Sequence, residues 1–247
     1  MSFNEDLKNI SIKEVLFVII FSYILAYAFK SLIGLNQKSF YVILILYFVF
    51  RLRNSFADLK LDFKNVFSEV SFVHILSIVV LNILFSYGML YLAKFGGSYI
   101  EPFLPFKSFT VDYVGLGSLL SIVLISPIVE ELIFRGVFLN KLELVVPTTF
   151  AILISSLLFA SLHSFGSIFS AFIFGICMAI LYLKSENILV PILAHFLNNG
   201  IGESIYHLDT ASVLFNNDMA MGIMSVLSVI SFIIILKFII SNWNTYK

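Results

Sequence analysis

Charge is scarce in this chain, and so is cysteine. Only 12% of the 247 residues are Asp, Glu, Lys or Arg, where a soluble domain carries roughly a quarter. That shortage excludes an ordinary soluble globular domain. The net charge is +0 and no block of either sign is present, so the basic stripe that nucleic acid requires is missing too. Cys177 is the single cysteine, set in the apolar run FIFGICMAILYL. One chain can therefore build neither a disulfide framework nor a thiolate metal cluster. With apolar neighbours and nothing to favour its thiolate, Cys177 reads as a packing residue and not as a nucleophile. No internal repeat is present. The first residues, MSFNEDLKNISIKEV, mix acids with lysines, and no small-residue cleavage pattern follows the first apolar run, so that run is expected to be retained.

Apolar sequence fills the space that charge leaves: 60% of residues are hydrophobic and the mean hydropathy is +1.03. A crossing of the bilayer needs roughly 20 apolar residues, and unpaired backbone groups in lipid cost several kcal/mol, so such runs should be helices. Apolar stretches at about 13–33, 38–52, 72–93, 115–140, 147–164, 167–184, 188–207 and 219–240 predict an all-α polytopic membrane protein of about eight transmembrane helices. No long polar interval separates them, so residues 1–247 read as a single integral membrane domain. The second stretch, SFYVILILYFVF, is the shortest and suits a short or tilted helix. In RLRNSFADLKLDFKNVFSEV, Phe56, Leu59, Phe63, Val66 and Phe67 share one face, as a helix lying in the interface requires. GGSYIEPFLPFKSFTVDY, with its glycines, prolines and aromatics, suggests an ordered loop at headgroup level. Lys8, Lys13, Arg51, Arg53, Lys60 and Lys64 fall on the side of the N-terminus with Lys141, Lys184, Lys237 and Lys247, against Lys30, Lys38, Lys94 and Lys107 opposite. This bias predicts a multi-pass protein of the cell membrane with both termini cytoplasmic.

Ionisable residues inside spans are costly and rare, so each is a functional candidate. SPIVEELIFRG, residues 126–136, carries Glu130, Glu131 and Arg135. Residues four apart share a helix face, so Glu131 and Arg135 can pair, while Glu130 points about 100° away with no intrahelical cation. Pro127 withholds a backbone donor and should kink the helix just before the glutamates. On the fifth stretch, FASLHS sets Phe159 and His163 four apart; on the seventh, PILAHFLNNG does the same for His195 and Asn199. Each group alone has an ordinary structural reading, as interfacial charge, a packed histidine or interhelical hydrogen bonding. Together, a carboxylate, two imidazoles, an amide and a buried ion pair on three helices are the inventory of a hydrolytic site. His74 and His207 lie at span ends and read as interfacial.

The ordered set EELIFR, FASLH and HFLNN resembles the CAAX protease and bacteriocin-processing family of intramembrane endopeptidases, also called the abortive-infection family. The resemblance covers roughly residues 115–207, expected to be the catalytic core. It implies an eight-helix bundle with its site sunk below the cytoplasmic face, and a hydrolase acting on a membrane-associated peptide or protein, prenylated or leader-bearing. Its eukaryotic and archaeal members trim prenylated proteins; bacterial members are linked to peptide maturation and bacteriocin immunity. Carried over by residue, the resemblance makes Glu130 the general base, helped by His163. It makes His195 and Asn199 the oxyanion donors, and Glu131 and Arg135, with Phe159, their support. The implied partners are the lipid bilayer and a peptide substrate at the cytoplasmic side.

Glu130, His163 and His195 are also a two-histidine, one-carboxylate set for zinc, with water as fourth ligand. No His-Glu-x-x-His helix is present, and Asn199 beside His195 suits an oxyanion donor better than an orienting group behind a metal ligand. A glutamic endopeptidase without a cofactor is therefore the expectation, with the zinc enzyme as alternative. A non-catalytic membrane partner or self-immunity protein is the alternative from another class. A proton-coupled transporter fits less well without paired repeats. One geometric tension accompanies the site: counted at ~1.5 Å per residue from the inner face, His195, Glu130 and His163 fall at unequal depths of roughly 10, 15 and 24 Å.

Overall fold

The computed structural model describes residues 3–33, 39–100, 119–163 and 168–246, and among these the chain is helical without strands. That follows from the sequence, because a helix satisfies every backbone group within its own segment. α1 (Phe3–Asn9) meets α2 (Ile12–Ile33) at a bend of 84°. α3 (Ser39–Arg51) bends by 62° into the stretch that contains α4 (Phe56–Lys64). The remaining helices are α5 (Phe72–Ile100), α6 (Ser126–Glu131), α7 (Thr148–Ala160), α8 (Ile168–Ser185), α9 (Leu189–Leu208), the short α10 (Val213–Asn216) and α11 (Asp218–Trp243).

Helices occupy each of the eight expected stretches, but their lengths and compositions differ. Phe72–Phe95, Ile168–Ser185 and Asp218–Tyr246 are each long and apolar enough to cross a membrane, and the number rises to five if each bent pair is one crossing. The rest depart for physical reasons. α7 has 13 residues, and α9 carries Asn198, Asn199, Glu203 and His207. The fourth stretch is broken on either side of α6 by π-helical turns.

α4 lies where an interfacial helix is expected; it buries none of its residues, and Phe56, Leu61 and Phe63 are exposed. It ends at Lys64, short of Val66 and Phe67. α5 runs to Ile100 and takes in Gly96 and Gly97, which the sequence reading gave to the following loop; two glycines cost a helix about 1 kcal/mol each and do not forbid it. The rest of that loop lies outside the described residues.

α8 is the axis of the fold. Buried residues make up 67% of it, against 22% for the best window of Asp218–Tyr246. It is apolar all round, as a helix enclosed by others should be, and Cys177 is buried among its packing residues. α7 comes close at Gly175: a Cβ there would stand 3.0 Å from the Ser156 Cβ and 3.3 Å from Phe159. α1 packs against the segment that follows the glutamates, where a Cβ at Gly136 would stand 3.2 Å from the nearest Leu7 methyl. The same end of the molecule is tied together by polar contacts. The Ile188 N–H donates to Asn4 Oδ1 at 3.1 Å, and Asn187 Nδ2 to the Asp62 carbonyl at 2.7 Å.

Candidate active site

The segment around SPIVEELIFRG is wound in alternating fashion. Residues Ser121–Ile125 form a π-turn in which the Ser126 N–H reaches back five residues to the Ser121 carbonyl. α6 follows, with Pro127 in its first turn, and Leu132–Leu139 is π-helical again. Each π-turn inserts residues that a regular helix would not hold, and such turns leave backbone carbonyls for side chains to satisfy. Asn199 Nδ2 donates to the Ile122 carbonyl at 3.0 Å. Asn140 Nδ2 serves the Arg135 and Gly136 carbonyls at 3.1 and 2.8 Å, and reaches Tyr182 Oη at 2.9 Å. The expected disturbance at Pro127 is thus a change of winding that two asparagines complete.

Glu131 and Arg135 form the expected pair, with Nη1 to Oε1 at 3.1 Å and both side chains enclosed. Arg135 also donates through Nη2 to the Gly175 carbonyl at 3.0 Å. Its guanidinium lies over the Phe159 ring, 4.6 Å from the centroid, where the ring quadrupole attracts a cation. A side chain that charged is tolerable in such a place only because each face meets a partner. Glu131 does more than pair. Its Oε1 is 2.8 Å from His195 Nδ1, so the ring carries a proton on Nδ1 toward the carboxylate and turns Nε2 to the opposite side. Phe174 stands edge-on to that ring at 5.4 Å.

Nε2 of His195 faces Glu130, 3.9 Å from Oε2. That separation is too long for a hydrogen bond. The other oxygen of Glu130, Oε1, accepts from Tyr41 Oη at 3.0 Å and from the Ser126 hydroxyl. Glu130 is buried, and among the described residues its hydrogen-bond donors are these two hydroxyls. His163 stands in the turn after α7. Its Nδ1 lies 3.1 Å from the Phe159 carbonyl; a carbonyl only accepts, so Nδ1 carries the proton and the neutral ring presents Nε2 as an acceptor. His163 lies within electrostatic reach of Glu130 and His195. Phe159 joins the pieces, with ring centroids 4.8 Å from His163 and 5.6 Å from His195.

The structure therefore gathers Glu130, Glu131, Arg135, Phe159, His163 and His195 in one place. Asn199 stands differently. It is joined by hydrogen bonds to Asn198 and the Ile122 carbonyl, and the chain of amides extends from Asn82 to Asn198 at 2.9 Å and from Asn198 to Asn199 at 3.2 Å. Among the described residues no hydrogen bond joins it to Glu130, His163 or His195. One N–H of its amide remains for another acceptor. His74 and His207 stand away from the cluster, beside Phe238 and Glu203. Tyr41 and Asn82 had no signal in the sequence, since an isolated hydroxyl or amide on an apolar helix is common and its neighbour is set by tertiary packing, whereas Ser126 stands four residues before Glu130 on one helix face and was passed over. Among the described residues no group of three His, Cys, Asp or Glu is disposed to hold a metal ion.

Residues 113–201 match the family described as Type II CAAX prenyl endopeptidase Rce1-like. That model describes members of the CAAX protease and bacteriocin-processing family, to which this region of the chain is similar. All of the predicted site residues fall within the family region, whereas Tyr41 and Asn82 lie outside it. No curated protein and no solved structure matches the chain.

Proposed function

We propose that this chain is an intramembrane endopeptidase of eight crossing helices in one domain, hydrolysing a peptide bond in a membrane-associated, prenylated or leader-bearing peptide or protein. The observation that carries the reading is the meeting of Glu130 on α6, His163 in the turn after α7 and His195 on α9, around a carboxylate with hydroxyl donors on one oxygen and His195 Nε2 3.9 Å from the other. Glu130 Oε2 and His163 Nε2 act on one water, which loses a proton to Glu130 as its oxygen bonds to the scissile carbonyl carbon. Glu130 then delivers that proton to the departing amide nitrogen as the C–N bond breaks, so the carboxylate returns to its starting state. The developing oxyanion is assigned to His195, whose ring is oriented through Nδ1 by Glu131, and to the remaining amide N–H of Asn199. Each such donor contributes about 2.7–4 kcal/mol in comparable sites.

The catalytic core is 115–207, and the mechanism needs no metal; zinc at Glu130, His163 and His195 is the alternative. Both termini and the peptide-binding side are assigned to the cytoplasm. Support comes from one end of the molecule, where α1, α4 and the α8–α9 turn share hydrogen bonds and Lys184 Nζ donates to Asn242 near the C-terminus. An even number of crossings puts those segments on one side. The test is cleavage of a farnesylated peptide with a carboxyl-terminal CAAX sequence by the full chain in liposomes, with and without exhaustive chelation. Cleavage that is lost in Glu130→Gln and survives chelation is expected. Restoration by zinc alone would replace the metal-free mechanism, and a cellular phenotype that persists in Glu130→Gln would favour a binding role.

A further inference from the structure

We infer that Tyr41 is a positioning residue of this site: its hydroxyl, carried in on α3 from outside the family region, fixes which oxygen of Glu130 serves as the base. The inference rests on the proposed peptidase reading, and it comes from the distribution of donors around one carboxylate.

Two hydroxyls, those of Tyr41 and Ser126, donate to Oε1, and Oε2 receives neither. Ser126 is one turn before Glu130 on the same helix, so its donation is local and would accompany any rotamer that folds back along the helix. Tyr41 is 89 residues away in sequence, and its contact exists only because α3 packs against the segment bearing the glutamates. A carboxylate oxygen with two donors has little electron density left to take a proton, whereas its partner keeps its lone pairs. The free oxygen, Oε2, is the one that faces His195 Nε2. Rotation of the carboxyl by half a turn would exchange the two oxygens, and a tyrosine anchored on a neighbouring helix resists that rotation more firmly than a serine on the same turn. Tyr41 thus holds the base in register with the oxyanion side of the site. Tyr47 supplies the comparison. It stands on the same helix, and its hydroxyl donates at 2.8 Å to Glu14, away from the site.

Two measurements on the purified full chain test the assignment. In the first, the infrared carboxylate band of Glu130 is isolated as the difference between the wild type and Glu130→Gln, then followed in Tyr41→Phe, Ser126→Ala and Tyr47→Phe. The band moves in the first two and stays in the third. A band unchanged by Tyr41→Phe overturns the inference, whatever the protein cleaves. In the second, cleavage of the farnesylated CAAX peptide is compared in liposomes. Tyr41→Phe lowers kcat about tenfold with KM unchanged, less than the roughly 100-fold cost of displacing a reacting group by an ångström. Tyr47→Phe leaves both constants alone, and the Tyr41→Phe/Ser126→Ala pair loses more than the product of the single losses. Equal losses in Tyr41→Phe and Tyr47→Phe would reduce Tyr41 to helix packing and overturn the assignment. If the wild type cleaves nothing, the peptidase reading fails, and with it the role that rests on it. If the wild type cleaves in a Glu130-dependent way while Tyr41→Phe matches it, the Tyr41 role alone fails.

Discussion

Glu130 and Glu131 are consecutive in the chain and lie in unlike surroundings. Glu131 is enclosed, takes Arg135 on one oxygen, and holds His195 by its Nδ1. Glu130 is approached by two hydroxyls on one oxygen and by His195 Nε2 at a distance on the other. The difference separates two uses of a carboxylate in an apolar bundle. One is a fixed charge whose energy goes into pairing and orienting its neighbours. The other, on the reading proposed above, takes its hydroxyl donors on one oxygen and leaves the second to accept a proton. A rise of 1.5 Å and a turn of about 100° separate the two, which is how adjacent residues reach different walls of one site.

The comparison breaks most severely at Arg135. Arg135→Met strips the enclosed Glu131 of its guanidinium partner and leaves it His195 alone, and it is expected to cost about 3–5 kcal/mol of stability. Thermal unfolding in detergent reads this directly. Adding Glu131→Leu to Arg135→Met should recover part of the loss, because an apolar pair of similar size carries no stranded charge. Gly175→Ala acts on the same wall. Its methyl would stand 3.0 Å from the Ser156 Cβ and 3.2 Å from its Cα, backbone that cannot swing aside, so about 1–3 kcal/mol of destabilisation is expected. Unfolding of that variant also tests whether the Gly175 carbonyl stays within reach of Arg135.

Asn82→Ala sharpens the oxyanion side. It removes the donor at the far end of the Asn82–Asn198–Asn199 chain, and the expected cost is about 1 kcal/mol, visible as a several-fold fall in kcat. The smallest effect lies outside the bundle. Burial, and then neighbouring Asp58, hold the Asp62 carboxyl on α4 above the usual carboxylate range. A carboxyl raised on folding contributes fully below its unfolded value of about 3.9 and loses that contribution as pH rises through the folded value. Asp62→Asn should therefore raise the melting temperature slightly at pH 7 and leave it unchanged at pH 3.

Much of the site could be read in advance wherever its geometry is local to a helix. Glu131 with Arg135, Phe159 with His163, and His195 with Asn199 are each four apart, and helix periodicity puts such residues on one face. The contact of Glu131 with His195 could not be read that way. It spans 64 residues and depends on how α9 crosses the segment that bears the glutamates. Tyr41 and Asn82 were hidden for the same reason. The apolar pattern gave helices in the right stretches, but it carries no information on π-turns, which arise where Pro127 withholds a donor and where Asn199 and Asn140 supply one. Nor did it distinguish α8, two-thirds of whose residues are buried, from α11, which is at least as apolar and largely exposed. Hydropathy reports what a helix can tolerate, and its neighbours decide what it meets.

The central claim is that Glu130 does chemistry while Glu131 holds the frame. It is tested most directly by making Glu130→Gln and Glu131→Gln in parallel and measuring cleavage of the farnesylated CAAX peptide and thermal unfolding for each. The account predicts that Glu130→Gln loses about 10²–10⁴-fold in kcat, the range expected for removing a general base, with an unfolding temperature close to the wild type. Glu131→Gln should lose stability first, as Arg135 and His195 lose their charged partner. A Glu130→Gln protein that still cleaves, or one that unfolds as readily as Glu131→Gln, would contradict it.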